Sequence, residues 1–436
     1  MFESEVQIKL MEKLIKVLKS SPISDYKISV KHVESVELFY VLNKLETNRA
    51  TNIDEVAVTI YVDEGEFRGQ STFSYYPYMS EEEIKELIKK KIFAAKFALN
   101  PHYELPGKND EKPRKIPTNF ENYSLLEAGE RIAKAVLAAK KYQEGNFSAN
   151  EIFVYKTDER ILNSKGVDLS MTSYRAFIEL IPSWEEGEKE VETYNNLEFS
   201  NLDEEEITRQ VNEAMEITRD RFNAVDLKID KPVKVIIEGE DVPDIFEFFI
   251  DSLSYRYKYM HMNRFNVGDH VQGDEVTGDK INLSMLPFYV GASKSRSFDG
   301  DGVVLKEVNL IKDGVAQSMF GSHVFGCYLN EKNPTGVLPI VKVEPGQKSF
   351  KEMKKEPYLR CVKFSSFQFD EYSGFFGGEV RLGYYFDGEK EIPVTSFSIQ
   401  GDINQAKTNM IFSKEEQVLP DYVGPKYIEI KGIGIN

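Results

Sequence analysis

From residue 233 to its end the chain carries 21 of its 28 glycines, and that punctuation limits what it can build. The densest example lies in residues 297–336. Asp299-Gly300-Asp301-Gly302 is a turn, because glycine takes positive φ without steric cost. Val303, Val304, Leu305, Val308, Leu310 and Ile311 follow, a run too apolar for a strand with one wet face. Asp313-Gly314 reads as a tight hairpin turn, since the pair suits the primed turns that match strand twist. A second strand is expected from Val315 to Phe325, and Asn333-Pro334-Thr335-Gly336 breaks it. Apart from a buried-looking strand at 233–238 and one helix near 242–259, this half reads as strands and glycine turns.

The first half has a different rhythm. Residues 3–19 read as a helix with Val6, Leu10, Leu14 and Val17 on one face. Strands are expected near 25–32, 36–43, 54–63 and 67–76. Ser80 with Glu83 and Ser124 with Glu127 are capping-box signatures for two further helices; Gly145 is a natural stop for the second. The segment between them, 101–123, reads as a surface excursion rich in Pro, Lys, Asp and Asn. Strands resume from 151 to 199 around a turn at Asn163-Ser164-Lys165-Gly166. A fourth helix buries Ile207, Val211, Ala214, Met215 and Thr218. The expected fold class is α+β: an N-terminal α+β domain over 1–225, then a strand-rich, barrel-like C-terminal domain over 226–436.

Charge narrows the partners. A net charge of −17 argues against sequence-independent nucleic-acid binding, which depends on Lys and Arg neutralising phosphates. No run approaches 18 apolar residues, so no membrane-spanning helix is expected, and the amphipathic first segment reads as a packed helix. Two cysteines, Cys327 and Cys361, are too few for a disulfide scaffold and leave pairing open. A cytoplasmic protein without direct nucleic-acid or membrane contact is the expectation.

The order of the glycine-rich pieces is more specific than any one of them. Asp301-Gly302, then Leu310 to Val315, Pro334-Thr335-Gly336, Tyr372 to Glu379 and finally Gly424-Pro425 together resemble the C-terminal half of the TldD/PmbA family. That family comprises the "modulator of DNA gyrase" relatives of metallopeptidases. The resemblance implies the same two-part architecture. In active members it also implies an HExxxH helix, with a cysteine near the C-terminus completing a zinc site; imidazoles and thiolate bind the metal and the glutamate activates water.

In chain order that helix corresponds to residues 242–259, and one ungapped placement puts Phe246, Glu247 and Asp251 where His, Glu and His belong. No register supplies a histidine before His261, and residues 413–424 contain no cysteine. The resemblance therefore points to the PmbA (TldE) branch, with no catalytic residue, metal ligand or cofactor of its own. Such a chain would be the non-catalytic partner of a TldD-like HExxxH subunit, or a dimer with itself, acting on unfolded or extended peptides. Glu247 and Asp251, at i and i+4, share one helix stripe; a solvated face is the plainer reading and a relic of an active-site wall the sharper one.

Two rival readings stay open. An independent hydrolase with a rebuilt site could use paired carboxylates, or His261 and His270 with Asp269 and Asp274. His323 and Cys327 would face each other only in a helix, which the surrounding glycines argue against. No GxSxG elbow appears, and Gly374, Gly377 and Gly378 read as bends in a curved sheet. Met260 and Met262 read as core. The other rival is a homodimeric peptide-binding protein without catalysis.

Overall fold

The computed structural model describes residues 5–108, 110–229 and 231–436. Residues 3 and 4 of the expected first helix and Asp230 lie outside these, as do the side chains of Val6 and Leu10. The fold is mixed α+β and rich in strands, which form three sheets.

The first sheet is antiparallel and dominated by four long strands: β1 (Asp25–Val41), β2 (Lys44–Glu64), with β3 (Phe67–Ser74) and the short β4 (Leu99–Pro101) beyond it, then β5 (Gly145–Asn163) and β6 (Asp168–Glu186). β7 (Lys189–Glu192) and β8 (Asn195–Phe199) both pair with β6. The spatial order is β4-β3-β2-β1-β5-β6-β7. Two expected breaks are absent, because β1 runs unbroken through 33–35 and β2 begins ten residues before the expected 54. The polar residues that read as a gap are paired instead. Ser35 Oγ contacts Glu37 Oε1 at 3.0 Å and Thr51 Oγ1 at 2.6 Å, and Arg49 Nε donates to Glu37 Oε2 at 2.7 Å. A continuous ladder carried these residues against their low strand preference.

Helices cover one face of this sheet in two pairs. The first pair, α1 (Glu5–Ser20) and α2 (Glu81–Ala95), covers Ile28, Val58 and Ile60. The second pair, α3 (Leu125–Leu137) and α4 (Glu204–Asn223), covers Leu38, Val154 and Ile178. Ser80 closes the expected capping box on α2, Ser124 caps α3, and all five apolar positions expected on α4 are buried. Gly145 does not stop a helix. It opens β5, where a Cβ would meet Met215 Sδ at 2.9 Å and the Trp184 ring at 3.0 Å.

In the C-terminal half, β9 (Val225–Asp226) and β10 (Lys234–Glu238) join a nine-stranded sheet. There β10 lies parallel to Tyr358–Phe369 and antiparallel to Tyr427–Ile430. A six-stranded sheet, built on Leu283–Leu286, Val308–Lys312 and Ile340–Val343, faces it across one apolar core. The expected helix is divided into α5 (Asp244–Ser252) and α6 (Tyr255–Tyr259), because Ser254 caps a new turn by accepting from Tyr257 N. Met260 is 48% exposed and is not core.

The hairpin turn forms as expected, with Asp313 and Gly314 both at positive φ (52° and 77°) between Val308–Lys312 and Val315–Ala316. Its flanks are shorter than the apolar pattern implies. Residues 303–307 lie outside the sheet, and 315–325 is strand only at its start before turning into α7 (His323–Tyr328). Ser322 caps that helix, which outweighs the glycines that argued against it. Asp299, 4% exposed, ties two glycine turns together: Oδ1 accepts from Asp301 N and Val303 N, and Oδ2 from Val337 N, each at 3.0 Å. Among the described residues no helix is long and apolar enough to cross a membrane.

Candidate functional site

The helix α5 separates its side chains cleanly. Ile245, Phe246, Phe248 and Phe249 face the core between the two C-terminal sheets, while Asp244, Glu247 and Ile250 face a cleft of about 1000 Å3. The opposite wall of that cleft comes from α4 and β8, and its floor includes Glu416 to Asp421. It therefore lies where the first sheet's helices meet the C-terminal half, a contact held by Lys426 with Glu213 at 3.2 Å and by Tyr384 Oη donating to Asp220 at 2.7 Å.

Phe246 has no solvent contact and sits 5.6 Å from the Phe412 ring and 6.2 Å from that of Tyr422. This is a packing position, and the segment that packs against it is the one where a cysteine ligand would be sought. Zinc needs several nitrogen, sulfur or oxygen donors converging at about 2.0–2.3 Å. Among the described residues no group of three His, Cys, Asp or Glu is arranged to hold a metal ion. The residues at this helix do not fit the metal.

Four acids in or just before α5 are raised above the ordinary carboxylate range, with Lys363 offsetting the shift only partly at Asp241 and Arg256 only partly at Asp251. Burial, helped by Glu240 and Asp244, pushes Asp241 up to about 7, and its Oδ2 has no hydrogen-bond partner. Burial, with Asp421 and Glu240 nearby, pushes Asp244 up to about 6. Glu247 is exposed on the cleft and is also raised, by partial burial first and then by Asp244, Glu371 and Asp421. Asp251 is half-buried and reaches about 6 through burial and a hydrogen bond shared with Glu371. The cleft's bases are already engaged: Arg209 with Glu206 at 2.6 Å and Lys363 with Glu240 at 2.8 Å. The result is a cleft wall with surplus negative charge. Asp244 lies three residues before Glu247 on α5, so the face those two share was readable from spacing. Glu371, in the turn between Tyr358–Phe369 and Phe375–Phe386, and Asp421, in the bend just before Tyr422–Pro425, arrive from distant parts of the chain and were not.

The other sequence candidates separate. His261, Asp269, His270 and Asp274 are all exposed and form no metal-capable group. His323 and Cys327 do meet, with Nε2 and Sγ 3.4 Å apart, because α7 puts them one turn apart. However, His323 Nε2 also lies 2.8 Å from the carbonyl oxygen of Glu104. A carbonyl can only accept, so Nε2 carries the proton and cannot take one from the thiol. Burial, with Asp301 and Glu104 nearby, also raises the Cys327 thiol, which opposes thiolate formation. Both cysteines are free. Gly377 and Gly378 lie within Phe375–Phe386, where a Cβ would meet a neighbouring strand's carbonyl oxygen at 2.2 Å in each case. They permit close strand approach, not phosphate binding.

Residues 230–436 match the family described as PmbA/TldA metallopeptidase C-terminal domain. No curated protein matches the chain. Three solved structures share its fold along nearly the whole length. A candidate modulator of a DNA gyrase from Thermotoga maritima has a TM-score of 0.78 at 17% identity, covering 98% of this chain and 100% of that one. TldE from Thermococcus kodakarensis has a TM-score of 0.78 at 18% identity, covering 98% and 99%. A candidate modulator of DNA gyrase from Bacteroides thetaiotaomicron has a TM-score of 0.77 at 13% identity, covering 99% of each.

Proposed function

Because the chain belongs to the PmbA/TldD metallopeptidase family through residues 230–436, we propose that it is the non-catalytic subunit of a peptidase complex acting on unfolded or extended peptides. The observation that carries this reading is Phe246. In the ungapped placement of the active family's motif on α5, the position of its first histidine holds a fully buried phenylalanine packed on Phe412 and Tyr422. The likeness to a structure named TldE supports the same branch. On this reading the zinc belongs to a partner chain bearing HExxxH, and this chain completes or shapes the chamber around it.

The cleft beside α5 then serves recognition. Asp244, Glu247 and Asp421 line it without a basic partner among the described residues, so it favours a cationic segment of peptide over an acidic one. The experiment is reconstitution with an HExxxH-bearing homologue and an unfolded peptide substrate. Cleavage is expected from the mixture and from neither this chain alone nor a mixture whose HExxxH glutamate is changed to glutamine. Cleavage by this chain alone would overturn the proposal. Asp251→Asn should leave the mixture's rate nearly unchanged, since Asp251 neither lines the cleft nor touches the partner's metal on this reading, whereas Glu247→Gln should weaken cleavage of cationic peptides.

A further inference from the structure

The helix-covered face of the first sheet is apolar under α1 and α2 and apolar again under α3 and α4. Between the two helix pairs it is not. Asp54, His32, Asp158 and Thr172 stand directly opposite one another across β2, β1, β5 and β6. The neighbouring rows place Glu34 beside Lys156 and Val30 beside Arg160. A cavity of about 790 Å3 opens over this window. Residues 113–121 close one side of it. They are pinned by Ile116 in a cluster with Leu169 and Met171, by Thr118 Oγ1 on Ser200 O at 2.6 Å, and by Phe120 stacked on Tyr174.

Charges in the middle of a helix-covered sheet cost more than the apolar residues that fill the rest of this face. Here they are organised. His32 Nδ1 lies 2.7 Å from Asp54, and Lys156 reaches Glu34 at 2.7 Å and Asp158 at 3.4 Å, with Asp158 only 7% exposed. Thr172 donates to Asp158 at 2.5 Å. The cations facing the cavity are Lys156, Arg160, Arg114 and Lys115, matched in number by the carboxylates Glu34, Asp54, Asp158 and Glu121. A lining with both signs in balance repels neither end of a zwitterion, whereas a simple anion or cation meets like charge on the same wall.

We propose that this cavity binds a short peptide carrying both a free α-ammonium and a free α-carboxylate. Arg114 is exposed and has no ion-pair partner among the described residues, so it is the cation available to the carboxylate. Asp54, with half its side chain exposed, is the most accessible acid for the ammonium. Val30, Val56 and Tyr75 give the cavity an apolar wall for a side chain. The volume falls in the range of about 300–1,000 Å3 that takes drug-sized ligands, enough for roughly two to four residues. The site shares no lining residue with the α5 cleft and does not rest on the subunit reading.

The test is calorimetric titration of the full chain with the tripeptide Ala-Leu-Ala, its N-acetylated form and its C-amidated form. Saturable binding of the free tripeptide is expected, weakened about tenfold by either cap, about 1.4 kcal/mol each. Arg114→Ala should weaken the free tripeptide to the same degree while leaving the C-amidated form unaffected; Asp54→Asn should do the same for the ammonium end and the N-acetylated form. Among the described residues Arg114 makes no ion pair that folding could depend on, so its variant keeps the test interpretable. Equal binding of capped and free tripeptides, no saturable heat at millimolar peptide, or unchanged affinity in both variants would overturn the proposal.

Discussion

Phe246 and Asp241 sit on one short stretch and show opposite solutions to burial. Phe246 gives the core an aromatic side chain with no polar demand. Replacing it with alanine should cost on the order of 3–5 kcal/mol in a denaturant titration, as for other buried aromatics. Phe246→His should also destabilise, and should bind no zinc by elemental analysis, because the helix offers no second imidazole. Asp241 is a carboxylate without a partner on Oδ2, held at about 7. An aspartate raised in the folded state binds its proton more tightly there than when unfolded. Its ionisation therefore opposes folding above about 7, and the penalty fades as pH falls toward the ordinary carboxylate range. The melting temperature should rise as pH is lowered from 8 toward 5, with Asp244 and Asp251, each at about 6, contributing in the same direction. Asp241→Asn should stabilise the chain at pH 8 by on the order of 2 kcal/mol and by clearly less at pH 5. A melting curve that is flat in pH, or a variant less stable at pH 8, would contradict this.

At the scale of elements, strand contacts replaced local preference in several places. β2 extends through residues 44–53, which are mostly exposed and polar, because β1 offers a ladder there that is interrupted only by a register shift between Phe39 and Tyr40. The reverse happened at 303–307, where apolar residues pack without sheet pairing. Capping signals were the most legible feature, since they are local hydrogen bonds written in adjacent residues: Ser80 and Ser124 both act as caps, whereas the cap at Ser254 went unread. The close approach of Phe375–Phe386 to its neighbours makes a glycine test direct. Gly377→Ala would put a Cβ 2.2 Å from the Ile399 carbonyl oxygen, which is backbone and cannot swing aside. A loss of about 1–3 kcal/mol or more in urea unfolding is expected, as for overpacked cores. A variant as stable as the parent would show that the strand spacing there is not set by this glycine.

At the scale of the whole molecule, the division expected at 225/226 remains our proposal, and limited trypsin digestion tests it. An early cut after Lys228, leaving two resistant fragments held together by α4, would agree with it; first cuts inside either sheet would not. α4 makes the arrangement cooperative, since Glu213 and Asp220 reach the C-terminal half while Ile207, Val211 and Met215 pack on the first sheet. That bridging also builds the cleft, whose two walls come from residues 195–217 and 244–250. The α+β class, the capped helices, the Asp313-Gly314 turn and the missing histidines of α5 were all legible in local pattern, because each is a property of residues within a few positions of one another. Long-range packing set the rest: Phe246 fills a core, Glu371 and Asp421 crowd the acids of α5, and Asp54, His32 and Asp158 form one row. Those arrangements depend on strand register and on chain segments tens to hundreds of residues apart, and no local pattern records which side chains such pairings bring together.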